Sequence, residues 1–327
     1  MIACTVTAES WQLNEPFGIA RAVTTDQKLI HVSLTDAQGR MGHAEAAGVD
    51  YDGETLTSMI QQVRSFESRL CEPIEFNILQ ETLPAGGARN ALDCALWDLR
   101  AKQTGVRVWQ AAGLPAPRPL LTAYTLGLGS EADTRRKARA ARHLPLLKLK
   151  LDRERHMDVV RIVGEEHPTA RLNVDANQSW PIDLLIKLLP GLKSAGVELI
   201  EQPLTHGTDA QLDGLNPVIP LAADESCTDC ASLAELGGRY QYVNIKLDKC
   251  GGLTEALKLA VAAERLGFGL MVGNMCGSSL GMAPAFLIGQ RCRYVDLDGP
   301  LLQRQDRAVP MKFDGALVHA PDPALWG

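Results

Sequence analysis

No long basic run occurs anywhere in this sequence, and its densest cationic patch, Arg135 to Arg142, reads as the solvated face of a helix. A formal net charge of −6 and a pI near 5.7 argue against nucleic acid or an anionic membrane as partner. The opening MIACTVTAESWQ has neither the basic nor the apolar region of a secretory leader, so a cytoplasmic chain is expected. The long uncharged stretch Phe268–Gly289 carries Asn274, Ser278, Ser279 and Pro284, which suit strand, loop and helix start better than a membrane span. Zinc-type pairing is also missing: Cys227 and Cys230 have C-x-x-C spacing, but no second pair completes a site. The eight cysteines lie mostly in apolar segments, as buried free thiols do in a reducing compartment.

What is present is an ordinary globular composition, 46% hydrophobic and 22% charged, in 327 residues, enough for one large domain or two. Residues 1–113 read as an α+β unit. Ile2–Leu13, Leu29–Leu34 and Gly42–Ala46 alternate like antiparallel strands, and Ala88–Gln103 has the apolar stripe of a helix. After the proline-rich Leu114–Pro119 the rhythm becomes strand, helix, strand. Strands are expected at Leu121–Leu126, Leu146–Leu151, Arg171–Ala176, Leu199–Gln202, Pro220–Ala223, Tyr242–Leu247, Leu270–Gly273 and Arg293–Leu297. The fold class is therefore α/β: a (β/α)8-type, modified TIM barrel over 114–305, with its last helix atypical or missing, under an N-terminal capping domain. The tail 306–327 breaks the rhythm and is expected to return to the cap.

Five of those apolar stretches end in a lysine or a carboxylate: Lys148 and Lys150, then Asp175, Glu201, Asp224 and Lys246. They recur roughly every 22 to 26 residues, about one strand–helix unit, so their C-terminal ends converge on one mouth. A lone aspartate after a strand is commonly a helix cap. Three successive carboxylates framed by lysines fit a hard divalent cation better, and Mg²⁺ needs few protein ligands. Lys148 and Lys150, two apart, share a face, where mutual repulsion would lower both pKa values and suit one as a general base. Lys246 comes from the sixth strand, almost opposite the second. Two such bases permit proton removal from one side of a carbon and delivery from the other, while a cation stabilises the enediolate of a carboxylate substrate. Lys249, just beyond, reads as a solvated loop lysine. Asp296 and Asp298 share a face and could attract an ammonium group, although Asp-Gly also signals a turn. Asn173 and Asn177 flank Asp175 and could orient metal ligands. A Schiff-base aldolase using Lys150 or Lys246 is the alternative from another class, and three adjacent carboxylates oppose it.

These residues resemble a known family. The segments PAGGARNALDCALWDL (84–99), LLKLKLD (146–152), NVDANQSW (173–180), LIEQPL (199–204), ADESC (223–227), VNIKLDKCGGLTEAL (243–257) and DLDGP (296–300) are similar to the muconate-lactonizing subgroup of the enolase superfamily, and to its L-Ala-D/L-Glu epimerases in particular. The resemblance implies Lys150 and Lys246 as the acid/base pair, Asp175, Glu201 and Asp224 as ligands of one Mg²⁺ per subunit, and Lys148 on the substrate carboxylate. It implies Asp296 and Asp298 as the D-x-D holding a dipeptide's amino group, with murein peptides as the substrate source. The cap would close over the barrel through loops near Phe17–Thr25 and Ala46–Glu54, with Arg21 receiving the distal carboxylate of a glutamyl residue. Asp50 and Asp52 make the second loop acidic, so a neutral or cationic second residue is an alternative, as is a cycloisomerase or an o-succinylbenzoate synthase-type lyase. The implied partner is a small dipeptide, with no nucleic acid and no membrane; a homo-oligomer is compatible with it.

Overall fold

A computed structural model describes residues 2–73 and 75–327. The N-terminal sheet pairs Ala3–Ile19 with Ala22–Thr35 and then with Met41–Ala46, all antiparallel. Ile30, Val32 and Leu34 alternate inward from the middle strand, as a half-buried sheet requires. Against them lies the helix Gly87–Thr104, buried along almost its whole length. Sheet and helix approach closely at Gly42, where a Cβ would stand 2.3 Å from Ala95 O. The helix also docks on the barrel. Trp97 Nε1 donates to Thr254 Oγ1 at 2.9 Å, and the Arg89 guanidinium donates to Cys250 O at 2.7 Å.

Eight parallel strands form the second sheet: Tyr124–Leu126, Leu146–Lys150, Arg171–Asp175, Val197–Glu201, Leu221–Ala223, Tyr242–Ile245, Gly269–Val272 and Tyr294–Val295. They are hydrogen-bonded in sequence order, and Ala123 N–H donates to Val295 O at 2.8 Å to bring first and last together. The result is the expected barrel under its cap. The expected first strand divides: Leu120–Leu121 leaves to pair with Leu317–Val318, and only Tyr124–Leu126 enters the barrel. Beyond the eighth strand a four-residue helix, Gly299–Leu302, stands where a full helix would close the repeat.

Phe268–Gly289 divides into the seventh strand, a loop and the helix Ser279–Gly289. Among the described residues no helix is long and apolar enough to cross a membrane. All eight cysteines are unpaired. The tail runs back over the cap: Trp326, fully buried, donates from Nε1 to Cys94 O at 3.0 Å, and Gly327 N–H to Asp98 Oδ1 at 2.8 Å. Phe17–Thr25, expected as a loop, is the tip of the long hairpin, with Phe17 paired to Thr24 and Ile19 to Ala22. It rests on the barrel at Gly18, whose carbonyl accepts from Leu128 N–H at 2.8 Å and where a Cβ would meet Leu128 O at 2.6 Å.

Candidate active site

Parallel register brings the expected residues into one row. Lys150 pairs with Asp175, Asp175 with Glu201, and Glu201 with Ala222, so three functional side chains occupy neighbouring positions across consecutive strands. Asp224 follows the fifth strand and Lys246 the sixth. One carboxylate oxygen from each of Asp175, Glu201 and Asp224 lies within 4.8 Å of the others, and all three residues are buried. The three are tethered alike. Asp175 Oδ1 accepts from Asn177 N–H at 2.8 Å, Glu201 Oε1 from Asn244 Nδ2 at 2.9 Å, and Asp224 Oδ1 from Lys249 Nζ at 2.7 Å. Their second oxygens meet the lysines: Lys148 Nζ is 2.7 Å from Glu201 Oε2 and 3.1 Å from Asp175 Oδ2, Lys150 Nζ is 2.7 Å from Asp175 Oδ2, and Lys246 Nζ is 2.7 Å from Asp224 Oδ2.

Electrostatics follow from this crowding. Burial, then the charge of Asp175, pushes Glu201 up to about 8. Burial would also raise Asp175 and Asp224, but adjacent lysines outweigh it and hold both low. The expected lowering of Lys148 by Lys150 does not occur. Burial acts in that direction, yet Asp296, Glu201 and Asp175 surround its ammonium and raise it well above the ordinary lysine value. Lys246 is likewise raised by Asp224 and Glu201 against burial.

The residues fit a hard divalent cation. Three oxygen donors with no sulfur or nitrogen suit Mg²⁺, and each offers one oxygen while the other is tied to the scaffold. Among the described residues no side-chain hydrogen bond joins Asn173 or Asn177 to these ligands. Both Oδ1 atoms are buried without a partner, and Asn177 acts through its backbone N–H. The amide that does reach a ligand is that of Asn244, two residues before Lys246, whose extended backbone keeps the same inward face. Lys249 is not solvated: it is 4% exposed and turned onto Asp224.

A cavity of ≈ 710 Å³ opens between hairpin and barrel mouth, lined by Lys148, Lys150, Lys246, Asp296, Asp298 and Arg21 among others. Asp296 Oδ2 is 2.8 Å from Lys148 Nζ, and Asp298 Oδ2 accepts from Thr125 N–H at 2.6 Å. Burial and then Asp296 push Asp298 up to about 7. Arg21 stands 3.1 Å from Glu225 Oε1 and lies 4.8 Å over the Tyr51 ring. Tyr51 belongs to the short helical turn Asp50–Asp52, within the second expected loop. That loop is docked where Gly48 N–H donates to Asp248 Oδ1 at 2.9 Å, two residues beyond Lys246. Glu225 and Tyr51 are thus site residues that the sequence reading passed over.

Family models match both parts of the chain: "Mandelate racemase / muconate lactonizing enzyme, N-terminal domain" over residues 1–113 and "Enolase C-terminal domain-like" over 131–323. The chain is 40% identical over 288 residues to an N-acetyl-D-glutamate racemase of a Pseudoalteromonas species, covering 88% of this chain and 91% of that one. It is 37% identical over 317 residues to the L-Ala-D/L-Glu epimerase of Escherichia coli K12, covering 95% and 97%. Among solved structures, an enolase family member from Agrobacterium tumefaciens with homology to dipeptide epimerases, bound to sodium and L-Ala-L-Glu, matches with a TM-score of 0.97 at 38% identity over the full length of both chains. The chain belongs to the mandelate racemase / muconate lactonizing enzyme family of the enolase superfamily.

Proposed function

We propose that this protein is a Mg²⁺-dependent dipeptide epimerase that inverts the α-carbon of the C-terminal residue, with L-Ala-D/L-Glu from murein peptides as substrate. The observation that carries the proposal is the position of Lys150 and Lys246, each 2.7 Å from a different carboxylate of one cluster, beside the aspartate pair Asp296 and Asp298. Asp175, Glu201 and Asp224 would hold one cation per subunit, and when bound it supplies positive charge against which a substrate carboxylate can accumulate electron density. With the charge of those carboxylates taken up, burial and the Lys148 charge act on Lys246 against Glu225 alone, and both favour the free amine that a base requires. Lys150 and Lys246 would then take and return the α-proton on opposite faces. Lys148, carrying a buried positive charge, would meet the α-carboxylate, and Asp298 with Asp296 would hold the free ammonium.

Placement of charge around the cavity supports a substrate with an ammonium group and a second carboxylate. Asp296 and Asp298 line the cavity on its barrel side and offer carboxylate oxygens to a substrate ammonium, and Arg21 lines it from the hairpin and offers a guanidinium to a second substrate carboxylate. The resemblance to an N-acetyl-D-glutamate racemase favours a second reading, an N-acylglutamate substrate. That dianion lacks the ammonium that Asp296 and Asp298 would hold. Deuterium exchange from D₂O into L-Ala-L-Glu, L-Ala-D-Glu and N-acetyl-D-glutamate decides between them. Exchange in both dipeptides is expected. Exchange confined to the N-acetyl compound would refute the dipeptide assignment, and exchange in none of the three, with exchange in other dipeptides, would refute the glutamyl substrate and leave the reaction class standing. A cytoplasmic site of action completes the proposal, and a homo-oligomer is compatible with it.

A further inference from the structure

Lys249 carries a buried positive charge for which the proposed proton transfer has no use. Its ammonium donates to Asp224 Oδ1 at 2.7 Å, to Asn244 O at 3.0 Å and to the Asp224 carbonyl, so its donors are spent on the ends of two strands. The ladder between those strands stops at Val243 and Ala223. Beyond that point the Lys249 ammonium, not a backbone N–H, joins the next two carbonyls. It is one turn from Lys246 on the short helix Leu247–Cys250, and the two lysines take opposite oxygens of the same carboxylate.

We propose that Lys249 is a positioning residue: it pins Asp224 Oδ1 to the scaffold so that only Oδ2 faces the site, and thereby sets the affinity for the divalent cation. This rests on the reading of Asp175, Glu201 and Asp224 as cation ligands. The tether matches those of Asp175 by Asn177 N–H and Glu201 by Asn244, and it is the only charged one of the three. Two effects oppose each other here. As a bare charge, an ammonium beside a ligand repels the cation, so its removal would tighten binding. As a tether, its removal frees the Asp224 carboxylate to turn and leaves Asp224 Oδ1 and Asn244 O without their donor, so binding weakens. The geometry points to the second, because Asp224 Oδ1 and Asn244 O would be stranded, whereas the Asp224 carbonyl keeps the Cys227 N–H at 3.0 Å.

Binding of Mn²⁺ to the metal-stripped full-length protein, read by electron paramagnetic resonance of the free ion, separates these effects without any turnover. Lys249→Met should weaken Mn²⁺ binding roughly 10- to 100-fold, and Lys249→Arg should recover much of it. Unchanged or tighter binding in Lys249→Met, with wild type binding normally, overturns the positioning role alone. Wild type that takes up no Mn²⁺ overturns the cation reading as well. Should circular dichroism find Lys249→Met unfolded, Lys249→Gln, which keeps a donor without charge, is expected to bind Mn²⁺ more weakly than wild type. If neither variant folds, the lysine serves folding only and the proposal fails.

Discussion

Arg21 Nη1 stands 3.1 Å from Glu225 Oε1, which ties the tip of the cap's hairpin to the residue beside a candidate cation ligand. The other face of the guanidinium rests on Tyr51, so its orientation is set by cap and barrel together. Glu225 Oε2 is buried without a partner, and replacing Arg21 would strand the rest of that carboxylate too. Arg21→Met should therefore raise KM for L-Ala-L-Glu by about 30-fold, the equivalent of about 2 kcal/mol for a charge-assisted hydrogen bond, while improving the relative rate on dipeptides with a cationic second residue. Steady-state kinetics on L-Ala-L-Glu and L-Ala-L-Lys would check this. An unchanged preference between the two would remove Arg21 from substrate recognition.

In the proposed scheme Lys150 and Lys246 divide the proton transfer by face, so single replacements should divide the chemistry. Lys150→Met and Lys246→Met are each expected to lower epimerisation roughly 10²- to 10⁴-fold. Each should nevertheless retain α-proton exchange in one isomer of Ala-Glu, and the retained isomers should be opposite. Proton NMR in D₂O, following the α-resonance of L-Ala-L-Glu and L-Ala-D-Glu separately, reads this directly. A single variant that still interconverts the isomers at the wild-type rate would rule out the two-base scheme.

Much of this site was legible because barrel periodicity converts spacing into geometry. A polar residue ending each apolar run must lie at one rim, and the register of Lys150, Asp175 and Glu201 follows from that alone. Asn244 was legible in principle, since it lies two residues before Lys246, whose extended backbone continues the sixth strand and so keeps the same inward face. Lys249 was not. Its burial depends on a four-residue helix turning it back onto the neighbouring strand, and LDKC carries no local pattern that announces such a turn. The resemblance implied a loop at the hairpin tip, whereas strand pairing runs out to Ile19 and Ala22 and the tip docks on Leu128 in the barrel. Arg21 and Glu225 meet across 204 positions of sequence, a contact only the closed cap creates.

Three carboxylates in a buried cluster are costly unless a cation answers them, so its removal should be felt in stability as well as turnover. Stripping with EDTA is expected to abolish deuterium exchange, and millimolar Mg²⁺ should restore it. Melting temperature should rise by a few degrees on Mg²⁺ addition, because a ligand at about 100 times its Kd contributes about 2.7 kcal/mol to the folded state. Exchange that survives EDTA, with melting indifferent to Mg²⁺, would exclude the cation.

Asp298 gives the pH dependence a sign. Burial, then the charge of Asp296, pushes it up to about 7, above the roughly 3.9 of an unfolded aspartate. The folded protein therefore takes up this proton more readily than the unfolded chain, and ionised Asp298 costs stability above pH 7. That cost shrinks as pH falls below about 7 and is nearly gone near pH 4. Asp298→Asn keeps an acceptor for Thr125 N–H, so it should stabilise the protein at pH 8 on the order of 2 kcal/mol and much less at pH 5. Substrate binding runs the other way. An ammonium is held by the ionised carboxylate, so KM for L-Ala-L-Glu should fall as pH rises through 7, and Asp298→Asn should raise KM and flatten that profile. Melting curves at pH 5 and 8, beside KM across the same range, test both halves. A variant whose melting offset is the same at both pH values would mean that Asp298 is not held in its neutral form by burial.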